Sequence, residues 1–333
     1  MTDLRVVSTR GTLDESAHRV SAAVVTADGR LVGSAGDAFA VTYWRSAAKP
    51  FQLLPLVVDG GIERFGLDTA MLAIACGSHN AESVHREVVS RWLAAIGATE
   101  ADLACGGHPS LWPALADAMV HDEVKPTPLW SNCSGKHAAL LALARLHGWG
   151  ASGYEERSHP VQGRVAETIA QWAGLPLDRL AWGVDGCTAA AVALPLDAMA
   201  RSYAALAASA DASASTVRNA MMAEPYLVAG ADRLDTAIMQ AWAGRLIAKI
   251  GAEGVYSAGL PTLGIGVALK VHDGDMRAAE LALVALLESV TARFGSREAW
   301  PLDALAEWRT PAIRNTRGAT TGHHEVRGEV NWK

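Results

Sequence analysis

The two ends of this chain have the local pattern of β-strands, whereas its middle has the pattern of helices. Near the start, 19–26 is rich in small and β-branched residues, 27–30 has turn chemistry, and strand-type residues resume at Leu31. Towards the other end, Val255–Ala258 and Ile265–Val271 also read as strands. Strands at both ends with helices between them predict an α+β fold in which the two chain ends share one sheet.

The helical part of the pattern begins after Ser46, where a mostly apolar run continues through Val58. A serine before such a run is a typical helix start. Further helices are predicted at Ala81–Ile96, Lys136–Leu146, Val161–Ala173, Ala189–Ser209 and Met276–Phe294. The small-residue run 207–216 indicates an exposed helix end or loop. We therefore predict a single domain over 1–333, with a sheet part at roughly 1–45 and 250–333 and a mainly helical part at 46–249.

Composition and charge narrow the class of partner. The 333 residues are 50% hydrophobic and 19% charged, which is enough apolar material for a large core. A net charge of -6 provides no basic field, so nucleic acids and membrane surfaces are poor candidates and a small-molecule substrate fits better. The first residues lack the basic start and apolar run of a secretory signal, which favours the cytoplasm. There the cysteines at 76, 105, 133 and 187 would stay reduced.

A first catalytic pattern is the Ser-x-x-Lys spacing of Ser46 and Lys49. A helix places the amine one turn from the hydroxyl, so that a neutral lysine can take the hydroxyl proton. Ser78 and Asn80 add the Ser-x-Asn spacing, and Lys270 ends a late apolar run. No lysine in the chain precedes Thr-Gly or Ser-Gly, which disfavours a penicillin-binding protein or β-lactamase.

A second candidate centre lies in the segment 132–137, which places a thiol, a hydroxyl, an amine and an imidazole at the apparent start of a helix. Helix N-terminal N–H groups favour a thiolate at Cys133. Cys187 follows a carboxylate, Asp185, in a glycine-bearing turn. Two thiolates with nitrogen donors would suit tetrahedral zinc, but the wide separation of Cys133 and Cys187 matches no zinc-finger spacing. Two buried structural cysteines are the alternative, and His79, His108 and His137 are each more often structural than ligating.

Together these segments resemble the rhizobial-type L-asparaginase family, also called L-asparaginase II. The stretches that carry the resemblance are Glu15–Arg19, Arg45–Gln52, Cys76–His79, Asn132–His137, Gly183–Cys187, Gly251–Val255, Gly266–Lys270 and Asp273–Asp275. The resemblance implies a serine β-lactamase-like fold, a homodimer, and hydrolysis of L-asparagine to L-aspartate and ammonia. Asn80-Ala81 departs from the Ser-Gly expected in many relatives, which puts affinity and the preference for asparagine over glutamine in doubt.

The resemblance also implies roles for particular residues. The catalytic groups would be two Ser-Lys tandems, Ser46 with Lys49 and Ser78 with Lys270. Zinc would be held by Cys133, Lys136 and Cys187, with a water completing the site. The substrate contacts would be Arg45, His79, Asn80, Asn132, His137 and Asp185.

Two competing functions follow from the same residues. One is a serine acyl-hydrolase that acts on a cyclic amide or a peptide, and the other is a zinc-bound amino-acid sensor on an inactive scaffold.

An asparaginase needs a deprotonated serine at neutral pH, and a lysine base predicts activity that climbs into the alkaline range.

Overall fold

Strands from both ends of the chain form one antiparallel sheet in this computed structural model, which describes residues 4–295 and 302–333. The strands are β1 (Leu4–Arg10), β2 (Leu13–Thr26), β3 (Leu31–Ala35), β4 (Val41–Tyr43), β5 (Ala181–Val184), β6 (Ala190–Pro195), β7 (Ile247–Gly251), β8 (Val255–Leu260), β9 (Ile265–Val271), β10 (Ala312–Arg314), β11 (Thr320–Arg327) and β12 (Asn331–Trp332). The main path of the large sheet runs β10-β11-β1-β2-β9-β8-β7, and β3 pairs with both β2 and β12. The predicted α+β class, with a sheet made by both chain ends, is confirmed.

In chain order, most of the helices come after the N-terminal strands β1–β4 and before the strands β7–β9. They are α1 (Lys49–Val58), α2 (Gly61–Phe65), α3 (Thr69–Ala75), α4 (Ser83–Ala95), α5 (Pro113–His121), α6 (Ser134–Leu146), α7 (Pro160–Ala173), α8 (Leu196–Ala208), α9 (Ala212–Ala223), α10 (Pro225–Val228), α11 (Leu234–Ala241) and α12 (Met276–Phe294). None of the helices in the described ranges combines the length and the apolar character needed to cross a bilayer.

The contacts divide the chain into two compact units. The sheet unit comprises Met1–Ala47, Leu194–Ala208 and Ala237–Lys333, and the helical unit comprises Ala48–Ala193 and Ser209–Thr236. Compared with the predicted parts, the sheet unit also takes in α8 and β7. Residues 1–3 and 296–301 of the predicted sheet part lie outside the described residues. The single-domain organisation stays a prediction.

The core of the sheet unit is closed by helices that pack on its central strands. All residues of β8 and nearly all of β9 are buried, which requires cover on both faces of these strands. α8 and α12 both pack against β8 and β9. Gly266 of β9 allows α8 to approach, because a Cβ there would lie 2.1 Å from the Ala200 carbonyl oxygen.

The helical unit is built around α6. Every residue from Ser134 to Ala144 is buried, so this helix is enclosed on all sides. α1 packs against α6, α7 and α9, and α3 packs against α6 and α9. The N-terminus of α6, where Cys133 is the N-cap residue, is thereby held beside the N-terminal half of α1 and the end of α3 in one core.

Two predicted helices begin at other places than the sequence indicated. Ser46 does not cap an α-helix; it lies in the 3-10 turn Arg45–Ala48, and α1 begins at Lys49 with a proline in its first turn. The predicted helix Ala189–Ser209 is wrong in its first third, which forms β6 before α8 begins. An alanine-rich sequence is compatible with both a buried strand and a helix. The segment forms a strand here because it pairs with β5.

Candidate active site

The amine of Lys49 makes three hydrogen bonds within the helical unit. Lys49 begins α1, and its side chain is almost fully buried. Its Nζ donates to Ser78 Oγ at 3.0 Å, to the Asn132 carbonyl oxygen at 3.2 Å, and to the Gly77 carbonyl oxygen. Three acceptors match the three hydrogens of an ammonium. In the neutral amine, the two carbonyls would hold its two hydrogens and leave the lone pair for the Ser78 hydroxyl.

Ser78 is held in place by the backbone on both of its sides. Its N–H donates to the Val228 carbonyl oxygen at 2.8 Å, and the N–H of Asn80 donates to the Ala229 carbonyl oxygen at 2.9 Å. The residue before it has to be glycine, because a Cβ on Gly77 would lie 2.8 Å from the Leu227 carbonyl oxygen. The segment after α3 therefore runs tightly against the C-terminal end of α10 and the residue that follows it, and it presents the Ser78 hydroxyl to Lys49.

The other two predicted catalytic residues belong to the sheet unit. Ser46 lies in the turn that leads directly into α1, three positions before Lys49. Lys270 lies near the end of β9, where its Nζ donates to the carbonyl oxygen of Val271. Partial burial lowers the pKa of Lys270, and the charges of Glu253 and Asp273 offset only part of this effect. The structure thus brings Lys49 to Ser78, whereas the sequence paired Lys49 with Ser46.

His79 is fully buried beside Ser78 and has a defined hydrogen-bonding role. Its Nδ1 accepts the Ala81 N–H at 3.1 Å, so its Nε2 carries the proton and donates to Ser134 Oγ, also at 3.1 Å. The ring stacks on His85 with centroids 5.1 Å apart. Burial holds the pKa of His79 well below its usual value, and the neighbouring charges of His85 and Lys49 lower it further. His79 therefore stays neutral at pH 7.

The predicted metal ligands meet at the N-terminus of α6. Lys136 Nζ lies 2.8 Å from Cys187 Sγ, and both side chains are buried. A hydrogen bond from Cys133 lowers the pKa of Cys187 to about 5 in spite of burial, and the same bond raises the pKa of Cys133 to about 12. Burial lowers the pKa of Lys136, but the Cys187 and Cys133 charges outweigh it and raise the pKa overall. The sequence favoured a thiolate at Cys133, whereas the structure places it on Cys187.

This donor set fits zinc. Two cysteine sulfurs and one amine, with a water as fourth ligand, are soft and borderline donors of the kind that zinc prefers, and the Cys133 thiol would have to lose its proton to ligate. Among the described residues, no group of three or more His, Cys, Asp or Glu side chains is placed to hold a metal ion. The third donor in this cluster is the amine of Lys136, which would have to lose its proton to ligate.

The remaining predicted contact residues surround these two groups. His137 is fully buried, and its Nδ1 lies 2.7 Å from the Tyr154 hydroxyl. Burial lowers its pKa to about 3. Asn132 offers its carbonyl oxygen to Lys49 while its N–H donates to His108 Nε2 at 3.0 Å. Asp185 is half-buried in the turn before Cys187, and its charge acts on Lys136.

Three of the six non-glycine residues with positive φ in the described ranges lie next to these residues. Arg45 beside Ser46, Ala81 beside Asn80 and Thr188 beside Cys187 have φ values of 54°, 59° and 76°. Non-glycine residues adopt such angles at a cost, and the strain is common at sites that hold side chains in set positions. A glycine would adopt the Ala81 angle at a lower cost, because it has no Cβ.

Arg233 is a site residue that the sequence did not reveal. Its Nη1 donates to the Ser78 carbonyl oxygen at 3.3 Å and to Asn80 Oδ1 at 3.0 Å. Asn80 itself is fully buried, and its amide nitrogen donates to the Ala231 carbonyl oxygen at 2.9 Å. About 150 residues separate Arg233 from Ser78 in the chain, and no local pattern signals such a contact.

A family model described as L-asparaginase II matches residues 6–326 of this chain. The comparison with curated proteins returns no significant match. The match covers every predicted site residue and all strands except β12 and the outermost residues of β1 and β11.

Several solved structures are similar to the chain at low identity. A crystal structure of Mglu is 18% identical, covering 85% of this chain and 69% of that one, with a TM-score of 0.46. A putative β-lactamase from Bacteroides dorei is 14% identical over 76% and 84% of the two chains, with a TM-score of 0.42. A β-lactamase from Mycobacterium bovis is 12% identical over 83% and 95%, with a TM-score of 0.38. Because these TM-scores lie below 0.5, we draw no argument from the three structures.

Proposed function

The chain belongs to the L-asparaginase II family and is an amidohydrolase, and from this premise we propose that it hydrolyses the side-chain amide of L-asparagine to L-aspartate and ammonia. The observation that carries the proposal is the buried amine of Lys49, which contacts the Ser78 hydroxyl and stands three positions after Ser46. A buried lysine beside a serine can serve as the base that a serine nucleophile requires.

We assign Ser46 as the nucleophile and Lys49 as its base. The Ser46 oxygen bonds to the carbonyl carbon of the side-chain amide while its proton passes to Lys49. The tetrahedral intermediate then loses its C–N bond, and the proton from Lys49 goes to the leaving nitrogen, which departs as ammonia. Water attacks the resulting β-aspartyl ester, Lys49 takes a proton from that water, and L-aspartate leaves as Ser46 regains its hydroxyl hydrogen.

Ser78 and Lys270 form the second proposed tandem, with Ser78 as a proton shuttle. The 3.0 Å contact between Lys49 Nζ and Ser78 Oγ supports this role, because a proton can pass directly between the two groups. Lys270 would serve as a second activator, and the lowering of its pKa by burial favours the neutral amine that this needs. Either serine can be the one that attacks, and the variants described below separate them.

Substrate contacts are proposed for Arg45, His79, Asn80, Asn132, His137 and Asp185. The neutral state of His79 and His137 suits hydrogen bonding rather than charge pairing. The Asn80 side chain donates to the Ala231 carbonyl oxygen and accepts from Arg233. We therefore propose that Asn80 affects substrate binding by positioning the arginine.

Zinc is the proposed cofactor, held by Cys133, Lys136 and Cys187. When bound, it would supply a Lewis acid that helps to orient the substrate. The chain's contribution is the turn that carries Cys187 and the N-terminus of α6, which together bring a thiolate within 2.8 Å of the Lys136 amine. We further propose a cytoplasmic homodimer. All four cysteines are buried thiols outside any disulfide, which suits a reducing compartment.

The competing functions are separated by a substrate panel. Purified protein is incubated with L-asparagine, L-glutamine, a simple lactam and an amidated dipeptide, and ammonia release and ring opening are measured. We expect ammonia from L-asparagine above all. Ring opening or peptide cleavage without ammonia from L-asparagine would favour the acyl-hydrolase, and binding of L-asparagine without any turnover would favour the amino-acid sensor.

A further inference from the structure

We propose that Arg233 binds the α-carboxylate of the substrate, which restricts the site to carboxamides of free α-amino acids. The inference deepens the proposed function and rests on it for the identity of the reacting amide. The Ser-Lys groups are assigned to catalysis and Cys133, Lys136 and Cys187 to zinc, so Arg233 would add recognition of the α-carboxylate.

Arg233 is a half-buried cation that has no anionic partner in the part of the chain that the structure describes. Both hydrogens of its Nη1 are taken by neutral oxygens, the Ser78 carbonyl at 3.3 Å and Asn80 Oδ1 at 3.0 Å. Within the described ranges the guanidinium takes part in no ion pair, and its Nε and Nη2 groups have no hydrogen-bond acceptor. A guanidinium with an unfilled Nε/Nη2 edge is arranged for a bidentate carboxylate.

Glu82, a carboxylate that contacts Asn80 and the loop of Arg233, has other partners. Glu82 accepts from the Ala231 N–H at 3.1 Å, from Asn80 Nδ2 at 3.3 Å and from the Tyr226 hydroxyl. Its oxygens are therefore committed to the loop and to α10. Among the described residues no ion pair compensates the positive charge of Arg233, and this charge lowers the pKa values of His79 and His85. A carboxylate from a ligand would supply the missing counter-charge.

The loop that carries Arg233 is held in a defined shape before any ligand binds. Gly230, with φ of 116°, donates its N–H to Thr236 Oγ1 at 3.1 Å, and its carbonyl oxygen accepts from the same hydroxyl at 2.8 Å. Asp232, with φ of 54°, accepts the Trp112 indole N–H at 2.8 Å. A preformed loop reduces the entropy lost on binding, so the guanidinium can contribute more of its interaction to affinity.

Ser78 connects Arg233 to the reacting lysine. Ser78 contacts both cations, because its hydroxyl meets Lys49 Nζ and its carbonyl oxygen meets Arg233 Nη1. The amide carbon and the α-carboxyl carbon of asparagine are three bonds apart. One asparagine molecule can therefore place its amide at the Lys49 side of Ser78 and its carboxylate at the Arg233 side.

Arg86 provides a matched comparison within the same region. Its Nε donates to the Ala81 carbonyl oxygen at 3.1 Å, and its guanidinium lies 4.0 Å from the centroid of the Trp130 ring. The aromatic face covers this cation. We therefore expect Arg86 to stabilise the backbone at Ala81 without contacting substrate.

The test measures ligand binding by calorimetry in the wild type, Arg233→Gln, Arg233→Lys and Arg86→Gln. The ligands are L-aspartate, which is the proposed product, and β-alanine, which is aspartate without its α-carboxylate. We expect Arg233→Gln to weaken L-aspartate binding by about 10- to 100-fold, the loss that accompanies removal of a charge-assisted hydrogen-bonded pair. Its effect on β-alanine should be under about threefold, Arg233→Lys should be intermediate, and Arg86→Gln should match the wild type.

Ammonia release from L-asparagine is recorded for the same four proteins. Equal weakening of both ligands by Arg233→Gln would show that the arginine only maintains the loop, and it would overturn the proposal. Unchanged L-aspartate binding in Arg233→Gln, or no binding in the wild type, would overturn it as well. Binding that depends on Arg233 in a wild type that releases no ammonia would contradict the asparaginase function alone, whereas turnover that does not depend on Arg233 would contradict this inference alone.

Discussion

Lys49 shows at the scale of single residues what spacing can and cannot predict. The sequence identified Lys49 and Ser78 as separate members of two tandems, because each has a recognisable local pattern. Their contact at 3.0 Å depends on Gly77, which lets the backbone pass close to the Leu227 carbonyl. Such an approach between segments distant in the chain has no local signature. The position of the thiolate also depends on a contact between distant segments. A hydrogen bond from Cys133, the N-cap residue of α6, lowers the pKa of Cys187, so the thiolate lies on the residue in the turn.

The first residue-scale prediction concerns the nucleophile. Ser46→Ala should lower turnover of L-asparagine by at least about a thousandfold with an unchanged melting temperature, because the covalent route is lost but no packing is. Ser78→Ala should retain more activity if Ser78 is only a shuttle. The exposed Ser83, at the start of α4, provides the control, and Ser83→Ala should behave as the wild type. A Ser46→Ala enzyme with more than about a tenth of normal activity would transfer the nucleophile to Ser78.

The second residue-scale prediction concerns zinc. About one zinc per chain should copurify with the wild type, and Cys187→Ser should abolish it because the thiolate beside Lys136 is removed. Cys105→Ser is the control. Cys105 is also buried, but its thiol donates to the Pro128 carbonyl oxygen and it is not one of the three proposed ligands, so the variant should keep its zinc. Elemental analysis that finds no zinc in the wild type, or full zinc in Cys187→Ser, would be incompatible with this site.

At the scale of elements, strongly periodic segments were predicted well and ambiguous ones were not. β9 and α12 have the predicted bounds, because each has a long uninterrupted pattern. β6 was missed because alanine-rich residues suit a buried strand and a helix equally, and its place in a sheet, where it pairs with β5, makes it a strand. Asp211, which caps α9, lies inside a run that we interpreted as a helix end or loop; the run ends α8 and begins α9.

The packing of α8 on β9 leads to a prediction about one glycine. In Gly266→Ala the new Cβ would lie 2.1 Å from the Ala200 carbonyl oxygen and 2.3 Å from the Ala204 nitrogen, and both are backbone atoms of α8. The free energy of unfolding should fall by about 3 kcal/mol or more. Gly163→Ala in α7, where a Cβ would meet nothing within 4 Å, should instead raise it by about 0.5 to 1 kcal/mol. Urea unfolding that ranks the two variants in the opposite order would disprove the close contact.

At the scale of the whole molecule, buried neutral histidines make stability depend on pH. Burial lowers the pKa of both His79 and His85; the charges of Lys49, His108 and Arg233 add to this at His79, while Glu82 opposes it at His85. The unfolded chain takes up these protons near pH 6.5, whereas the folded chain does not. Their contribution to stability is therefore fully present above about pH 6.5 and is lost as the pH falls below it.

Urea unfolding at pH 8, 6.5 and 5.5 measures this effect. The free energy of unfolding should fall below about pH 6.5 by up to about 1.4 kcal/mol per pH unit for each buried histidine. His85→Gln should reduce the slope, and His121→Gln, at an exposed position in α5, should leave it unchanged. A slope that is the same in His85→Gln and in the wild type would show that other groups cause the acid instability.

The most direct test of the central claim is the release of ammonia and L-aspartate from L-asparagine by the wild type and by Lys49→Met. Methionine is close to lysine in size but cannot take a proton. We expect equimolar ammonia and L-aspartate from the wild type and a loss of at least about a thousandfold in Lys49→Met, because the base for both steps is removed. No product from the wild type, or a Lys49→Met enzyme that works at the wild-type rate, would contradict the account.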